Sequence, residues 1–99
     1  IVFPEHSLDD DVYYTKAQIY KKLRKTEEMI TMYNAIIEKY PEEIRADNAL
    51  YELADLYENQ LNAPDKAQPL YEKIFLDYSG STFASDARMR YRKLRGDEL

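Results

Sequence analysis

The sequence offers little reactive chemistry. His6 is its one imidazole, and no second ligand stands at a metal-binding spacing, so neither a metal site nor general-base work is indicated. There is no cysteine, which excludes disulfides, thiolate metal sites and cysteine nucleophiles. Asp9, Asp10 and Asp11 form a run without the alternation or the glycine of a calcium loop. They suit the start of a helix, where the dipole favours negative charge. No Gly-rich phosphate loop, nucleophile elbow or paired ligand set is present. The chain therefore reads as non-catalytic, without metal or cofactor. What remains is recognition chemistry, carried by ten tyrosines with apolar bodies and polar tips. Charge is also uneven. Glu5, Asp9, Asp10 and Asp11 crowd the start, and Arg88, Arg90, Arg92, Lys93 and Arg95 crowd the end. Such a basic run can bind an anionic partner, a lipid head group or RNA. At helical spacing it spreads over more than one face, and cations near a helix end also complement the dipole, which is the plainer account.

Composition sets the frame. With 99 residues the chain makes one compact domain. A hydrophobic content of 44% is enough for a core, and two glycines with four prolines favour long helices over a sheet-and-turn fold. The net charge of −5 and pI near 4.9 argue against nucleic acid as the main partner. No apolar run approaches the roughly 20 residues of a membrane span, so this segment is not expected to insert in a bilayer. The chain begins at Ile1 without an initiator methionine, so it is expected to be part of a longer repeat protein. Asp97-Glu98-Leu99 resembles a retention ending, but Gly96 spoils the motif.

Helical periodicity runs throughout. Ser7, three before Asp10, forms a loose capping box, and a first helix is expected from about Leu8 to Leu23 with Val12, Tyr13, Ala17, Ile19 and Tyr20 as its apolar positions. Thr26 is expected to cap a second helix that ends near Lys39 before Pro41. A third is expected over about Glu43 to Gln60, with Ala46, Ala49, Leu50, Leu53, Ala54, Leu56 and Tyr57 as its buried stripe. Pro64 suits the first position of a fourth, and Pro69 inside it predicts a mild kink without a break. A fifth is expected from about Thr82 to Leu94, burying Phe83, Ala84, Ala87, Tyr91 and Leu94.

These helices repeat. Phe3-Pro4 falls on Tyr40-Pro41 at a shift of 37, which also carries Tyr14, Ala17, Ile19 and Tyr20 onto Tyr51, Ala54, Leu56 and Tyr57. Forward from the centre the shift is 38, carrying Asn48-Ala49 onto Asp86-Ala87, and the extra residue is expected in the loop around Asn59 to Asn62. The domain thus divides into one repeat over about 3–40, a second over about 40–78 and a capping helix over about 79–96. The fold class expected is all-α, five helices in two and a half antiparallel hairpins.

The pattern resembles tetratricopeptide repeats. Leu50, Leu53-Ala54, Tyr57, Ala67, Tyr71, Ile74 and Ser79 hold the motif positions of the central unit. Tyr13, Lys16-Ala17, Tyr20, Met29, Tyr33, Ile36 and Pro41 hold those of the first, with Lys16, Ile74 and Ser79 departing from the pattern. The turn spelling is most similar to bacterial envelope repeats of the Tol-Pal accessory and outer-membrane lipoprotein kind. The resemblance implies a right-handed superhelix whose first helices line a concave face that binds a peptide or helix of a partner protein. Counting along those helices gives three ladders: Asp11, Asn48 and Asp86; Tyr14, Tyr51 and Met89; Gln18, Asp55 and Lys93. Tyrosines suit interfaces, and an Asn or Asp ladder can hold a peptide backbone in register. Tyr14 and Tyr51 stand where chaperone-binding relatives would want a lysine to clamp a terminal carboxylate, which argues against that mode. The rival reading is a spacer, or a homodimer through the face of the first repeat.

Overall fold

The computed structural model describes residues 10–42 and 45–96, with side chains from 12 onward. Five α-helices follow in order: α1 Asp10–Lys22, α2 Thr26–Lys39, α3 Ala46–Asp55, α4 Pro64–Asp77 and α5 Ala84–Arg95. α3 continues into a π-helical turn, Leu56–Gln60. No strand occurs among the described residues. Phe3-Pro4, His6, the Ser7 cap, the expected starts at Leu8 and Glu43, and Asp97 to Leu99 lie outside them. The chain divides into two compact units, Ile1–Ala49 and Leu50–Leu99.

In the first unit α1 and α2 pack together. Gln18 meets Tyr33, and Tyr13 meets Tyr40, so partners run in opposite directions and the pair is an antiparallel hairpin. The closing turn explains itself. Arg24 takes the left-handed conformation (φ 59°). Its N–H donates to the Lys21 carbonyl at 3.2 Å, and the next N–H, of Lys25, reaches back to Tyr20 at 2.9 Å. That pair of hydrogen bonds is a Schellman end, which satisfies carbonyls the helix would otherwise leave open. Lys25, not Thr26, takes the N-cap position of α2 and makes no side-chain cap, because the turn brings Thr26 in as the first helical residue. Ala17, Met29, Tyr33, Ile36, Ala46 and Ala49 are buried. Ile19 is half exposed (50%), contrary to the expected stripe. Two residues on from Ala17 means a rotation of about 200°, which turns it from the packed face.

In the second unit α4 packs on the π turn and on α5. Pro64 opens α4 at its first position, and the helix passes through Pro69 unbroken to Asp77. Pro69 cannot donate to the Asp65 carbonyl, but both residues are exposed, so water reaches the freed oxygen. Leu50, Leu53, Ala54, Leu56, Ala67, Tyr71, Ile74 and Ala87 are buried. α5 begins two residues later than expected and buries only Ala87 fully; Phe83, Ala84, Tyr91 and Leu94 are half-buried. Its end is fixed by Gly96, whose φ of 95° suits a residue without a side chain.

The expected insertion is real but sits earlier, within the helix. In the first hairpin Leu23 N–H bonds Ile19 and Lys25 N–H bonds Tyr20. In the second, Leu61 bonds Leu56 at 3.0 Å and Ala63 bonds Tyr57 at 2.7 Å. The acceptors correspond at a shift of 37 and the donors at 38, as do the left-handed residues Arg24 and Asn62. The extra residue therefore lies among Glu58, Asn59 and Gln60, and a helix absorbs one surplus residue by widening into a π turn.

Candidate functional site

The second unit holds a network centred on Arg90. It is built from the start of α5. Ser81 Oγ accepts the Phe83 N–H at 3.0 Å and so sets the turn. The Phe83 ring then stacks on Tyr51, centroids 4.7 Å apart, while Tyr71 meets Tyr51 edge-on at 6.0 Å. Held between them, Tyr51 donates its hydroxyl proton to Asp86 Oδ2. One turn further along α5, Arg90 donates from Nε to the same oxygen at 3.0 Å. Its Nη1 reaches Asp55 Oδ1 at 3.2 Å, the Tyr71 hydroxyl at 3.3 Å and Glu58 Oε1 at 3.4 Å. Tyr71 itself donates to Glu58 Oε1 at 2.7 Å. No buried side-chain polar atom among the described residues lacks a partner.

Charge follows from this list. One guanidinium faces three carboxylates, so the cluster holds more acidic than basic groups. Burial, then the hydrogen bond to Asp86, pushes the Tyr51 hydroxyl up to about 12. Burial, then the bond to Glu58, raises Tyr71 above the ordinary phenol range as well. Desolvation opposes the charge on Arg90, but the Tyr71 hydroxyl and its other neighbours outweigh it and hold the guanidinium protonated. Both tyrosines are therefore neutral donors at physiological pH.

The first unit carries a neutral counterpart. Asn48 Nδ2 donates to the Tyr14 hydroxyl at 3.0 Å, as Asp86 pairs with Tyr51 one repeat on. The Arg45 guanidinium lies over the Tyr14 ring at 4.5 Å, and Phe83 covers Tyr51 from the corresponding position, 38 residues later. Gln18 donates to the buried Tyr33 hydroxyl at 3.1 Å.

The residues singled out from sequence thus fall into three groups. Tyr14 with Asn48, Gln18 with Tyr33, and Tyr51, Asp55 and Asp86 around Arg90 are tied into their own units. Met89 (62% exposed) and Lys93 are solvent-facing. The side chain of Asp11 lies outside the described residues. The tyrosine and Asx ladders are thus not separate rows, because the Tyr14 hydroxyl is bonded to Asn48 and the Tyr51 hydroxyl to Asp86. Glu58, Tyr71, Phe83 and Arg45 were missed as site residues, and Arg90 was read only as part of a basic run. The Asp86–Arg90 spacing of four on one helix was the available signal. Among the described residues no group of three or more His, Cys, Asp or Glu could hold a metal ion. No described helix is long and apolar enough to cross a membrane.

Paired helices closed by corresponding turns and locked by corresponding tyrosines define a helical-hairpin repeat protein. The tetratricopeptide repeat family model matches residues 11–43 and again 48–81, and the chain belongs to that family. Comparison with curated proteins gives no match. Comparison with solved structures gives none either. Tetratricopeptide repeats generally act as non-catalytic scaffolds for protein–protein interaction.

Proposed function

We propose that this protein binds a peptide or helix of a partner protein on the faces of its first helices, the side that lines the concave surface in the family. One observation carries the reading: the Tyr–Asx bond recurs in both units, at Tyr14–Asn48 and Tyr51–Asp86. The bond fixes the Asx side chain in one orientation and leaves it half exposed. A carboxylate has about four lone-pair sites, and Tyr51 and Arg90 use only some of those on Asp86. A side chain oriented in advance binds a backbone amide at lower entropic cost. In the second unit Met89 adds apolar surface and Asp55 adds acceptors that favour a basic or amide-rich segment.

The turn spelling around Tyr40-Pro41 favours a bacterial envelope repeat protein as the setting. Recovery of a partner from an envelope fraction, and not from cytosol, is the expected result.

The test is partner capture with Met89→Glu and with Asn48→Ala. Met89 is exposed and Asn48 half-buried, so both variants should retain full helical circular dichroism. Each should weaken capture by about tenfold, a loss of roughly 1.4 kcal/mol. Undiminished capture by both refutes the site. A concentration-dependent dimer in light scattering that neither needs a partner nor survives Met89→Glu would replace it with self-association.

A further inference from the structure

The turn that closes the first hairpin carries a second surface, on residues apart from those proposed above. Lys21, Lys22, Leu23, Arg24 and Lys25 are consecutive and all exposed. None of the four cations has a side-chain hydrogen bond, ion pair or ring contact among the described residues. Leu23 stands in their midst, 58% exposed. The acids that follow, Glu27 and Glu28, lie in the first turn of α2 and leave the cations in excess.

The second hairpin is an internal control for this turn. It closes with corresponding bonds, yet Leu61, Asn62 and Ala63 stand where the first has Leu23, Arg24 and Lys25. Leu61 is exposed as well (41%), so exposure of the leucine belongs to the turn itself. The cations do not belong to it. Arg24 (φ 59°) takes a left-handed backbone, which asparagine tolerates better and which Asn62 (φ 52°) supplies in the other hairpin. Lys25 holds the N-cap of α2, where the dipole repels a positive charge and its side chain makes no cap. Lys21 and Lys22 complement the end of α1, but Arg24 and Lys25 stand against local preference. Residues kept against local preference point to a use beyond the fold.

Chemistry and shape select the ligand. A closed turn presents an edge, whereas a helix or extended peptide docks in a groove or on a sheet. The phosphates of a nucleic acid offer nothing to the leucine. A lipid surface does: headgroup phosphates take the ammonium and guanidinium groups, whose long stems let the leucine sink between them. Charges farther than about 8 Å are screened at physiological salt, so the local excess outweighs the chain's net −5.

We infer that the α1–α2 turn docks on an anionic lipid surface. Lys21, Lys22, Arg24 and Lys25 meet headgroup phosphates, and Leu23 enters the interface without any helix spanning it.

The test uses the 99-residue protein and sedimentation with vesicles of phosphatidylglycerol and phosphatidylcholine in equal parts. Binding should be saturable, absent with phosphatidylcholine alone, and weakened as salt screens the charges. Arg24→Asn with Lys25→Ala installs the residues of the second hairpin, so its thermal midpoint should hold or rise. It should weaken binding by more than about tenfold, since each cation at such a surface contributes roughly fivefold. Leu23→Ser should weaken it by a smaller factor. Lys66→Ala with Lys73→Ala removes the same charge from α4 and should leave binding unchanged. If the turn variant fails to fold, Lys21→Gln with Lys22→Gln gives the same reading from within α1. Absence of saturable binding, equal binding to phosphatidylcholine, full binding by the turn variant, or an equal loss in the α4 variant overturns the proposal. So does tighter binding of polyglutamate or single-stranded RNA than of vesicles, lost in the turn variant and indifferent to Leu23→Ser.

Discussion

Replacing Arg90 by methionine keeps an unbranched, flexible stem and removes the charge, and the structure says where the cost arises. The guanidinium is 32% exposed and meets carboxylates of unequal shelter: Asp55 at 43%, Asp86 at 38% and Glu58 at 16%. Pairs with the two well-exposed partners contribute only about 0.5 kcal/mol each. Glu58 is the sheltered one, and its hydrogen bond to a charged donor is worth roughly 1.5 kcal/mol. The total is about 2–3 kcal/mol, a large part of the ~5–15 kcal/mol that stabilises a domain. Urea denaturation followed by circular dichroism measures it, with the m-value checking that the transition has not changed character. Double-mutant cycles then apportion it. Arg90→Met with Glu58→Gln should show a coupling of about 1–2 kcal/mol, and Arg90→Met with Asp55→Asn under about 0.5 kcal/mol. Distance alone predicts the reverse order, since Asp55 is nearer, 3.2 Å against 3.4 Å. A coupling to Asp55 equal to or above that to Glu58 would refute the argument that burial decides.

Tyr71→Phe should cost about 2 kcal/mol and Tyr33→Phe only about 1 kcal/mol, because Tyr71 bonds charged groups and Tyr33 a neutral amide; equal losses in urea melts would contradict this. Alkali should destabilise the protein between about pH 10 and 12. The Tyr51 pKa, raised from 10.0 to about 12, gives stability that is full below 10 and lost as pH climbs through the folded value. Tyr51→Phe should flatten that decline by no more than about 2 kcal/mol after solvent screening, and an unchanged pH profile would count against the assignment. Deleting Asn59 should be tolerated, with the thermal midpoint moving by less than about 5 °C, because the first hairpin closes with one residue fewer; loss of the cooperative transition would show that the π turn is required.

The architecture was legible because its signals are local and recur. Apolar spacing gave the helices, Pro41 and Pro64 gave their ends, and the shift between Tyr14 and Tyr51 gave the repeat. The pairing of Tyr51 with Asp86 was not legible, since it joins residues 35 apart whose side chains meet only after α5 has packed. Asn48 and Asp86 were read as a ladder for a ligand, and nothing in their spacing tells a ligand from a tyrosine hydroxyl. Arg90 was hidden in a run where neighbouring arginines look alike by composition. Rotation about the helix separates them: Arg90 turns to the carboxylates while Arg88 and Arg92 turn to water.

One surplus residue accounts for much of the difference between the two hairpins. Where the first has Lys21 and Lys22, the second has Glu58, Asn59 and Gln60. Widening the helix into a π turn brings an acid, Glu58, within reach of the buried tyrosine. The corresponding hydroxyls then play opposite parts. Tyr33 accepts from Gln18, whereas Tyr71 donates to Glu58. A half-buried carboxylate is stable only with a counter-charge, and the repeat position that is Glu52 in α3 becomes Arg90 in α5. The insertion and the arginine are thus one device. Removing Glu58 alone should leave Arg90 with two exposed partners, and removing Arg90 alone should leave three acids together. The second loss should therefore be the larger, an ordering that a pattern of interchangeable repeats would not produce.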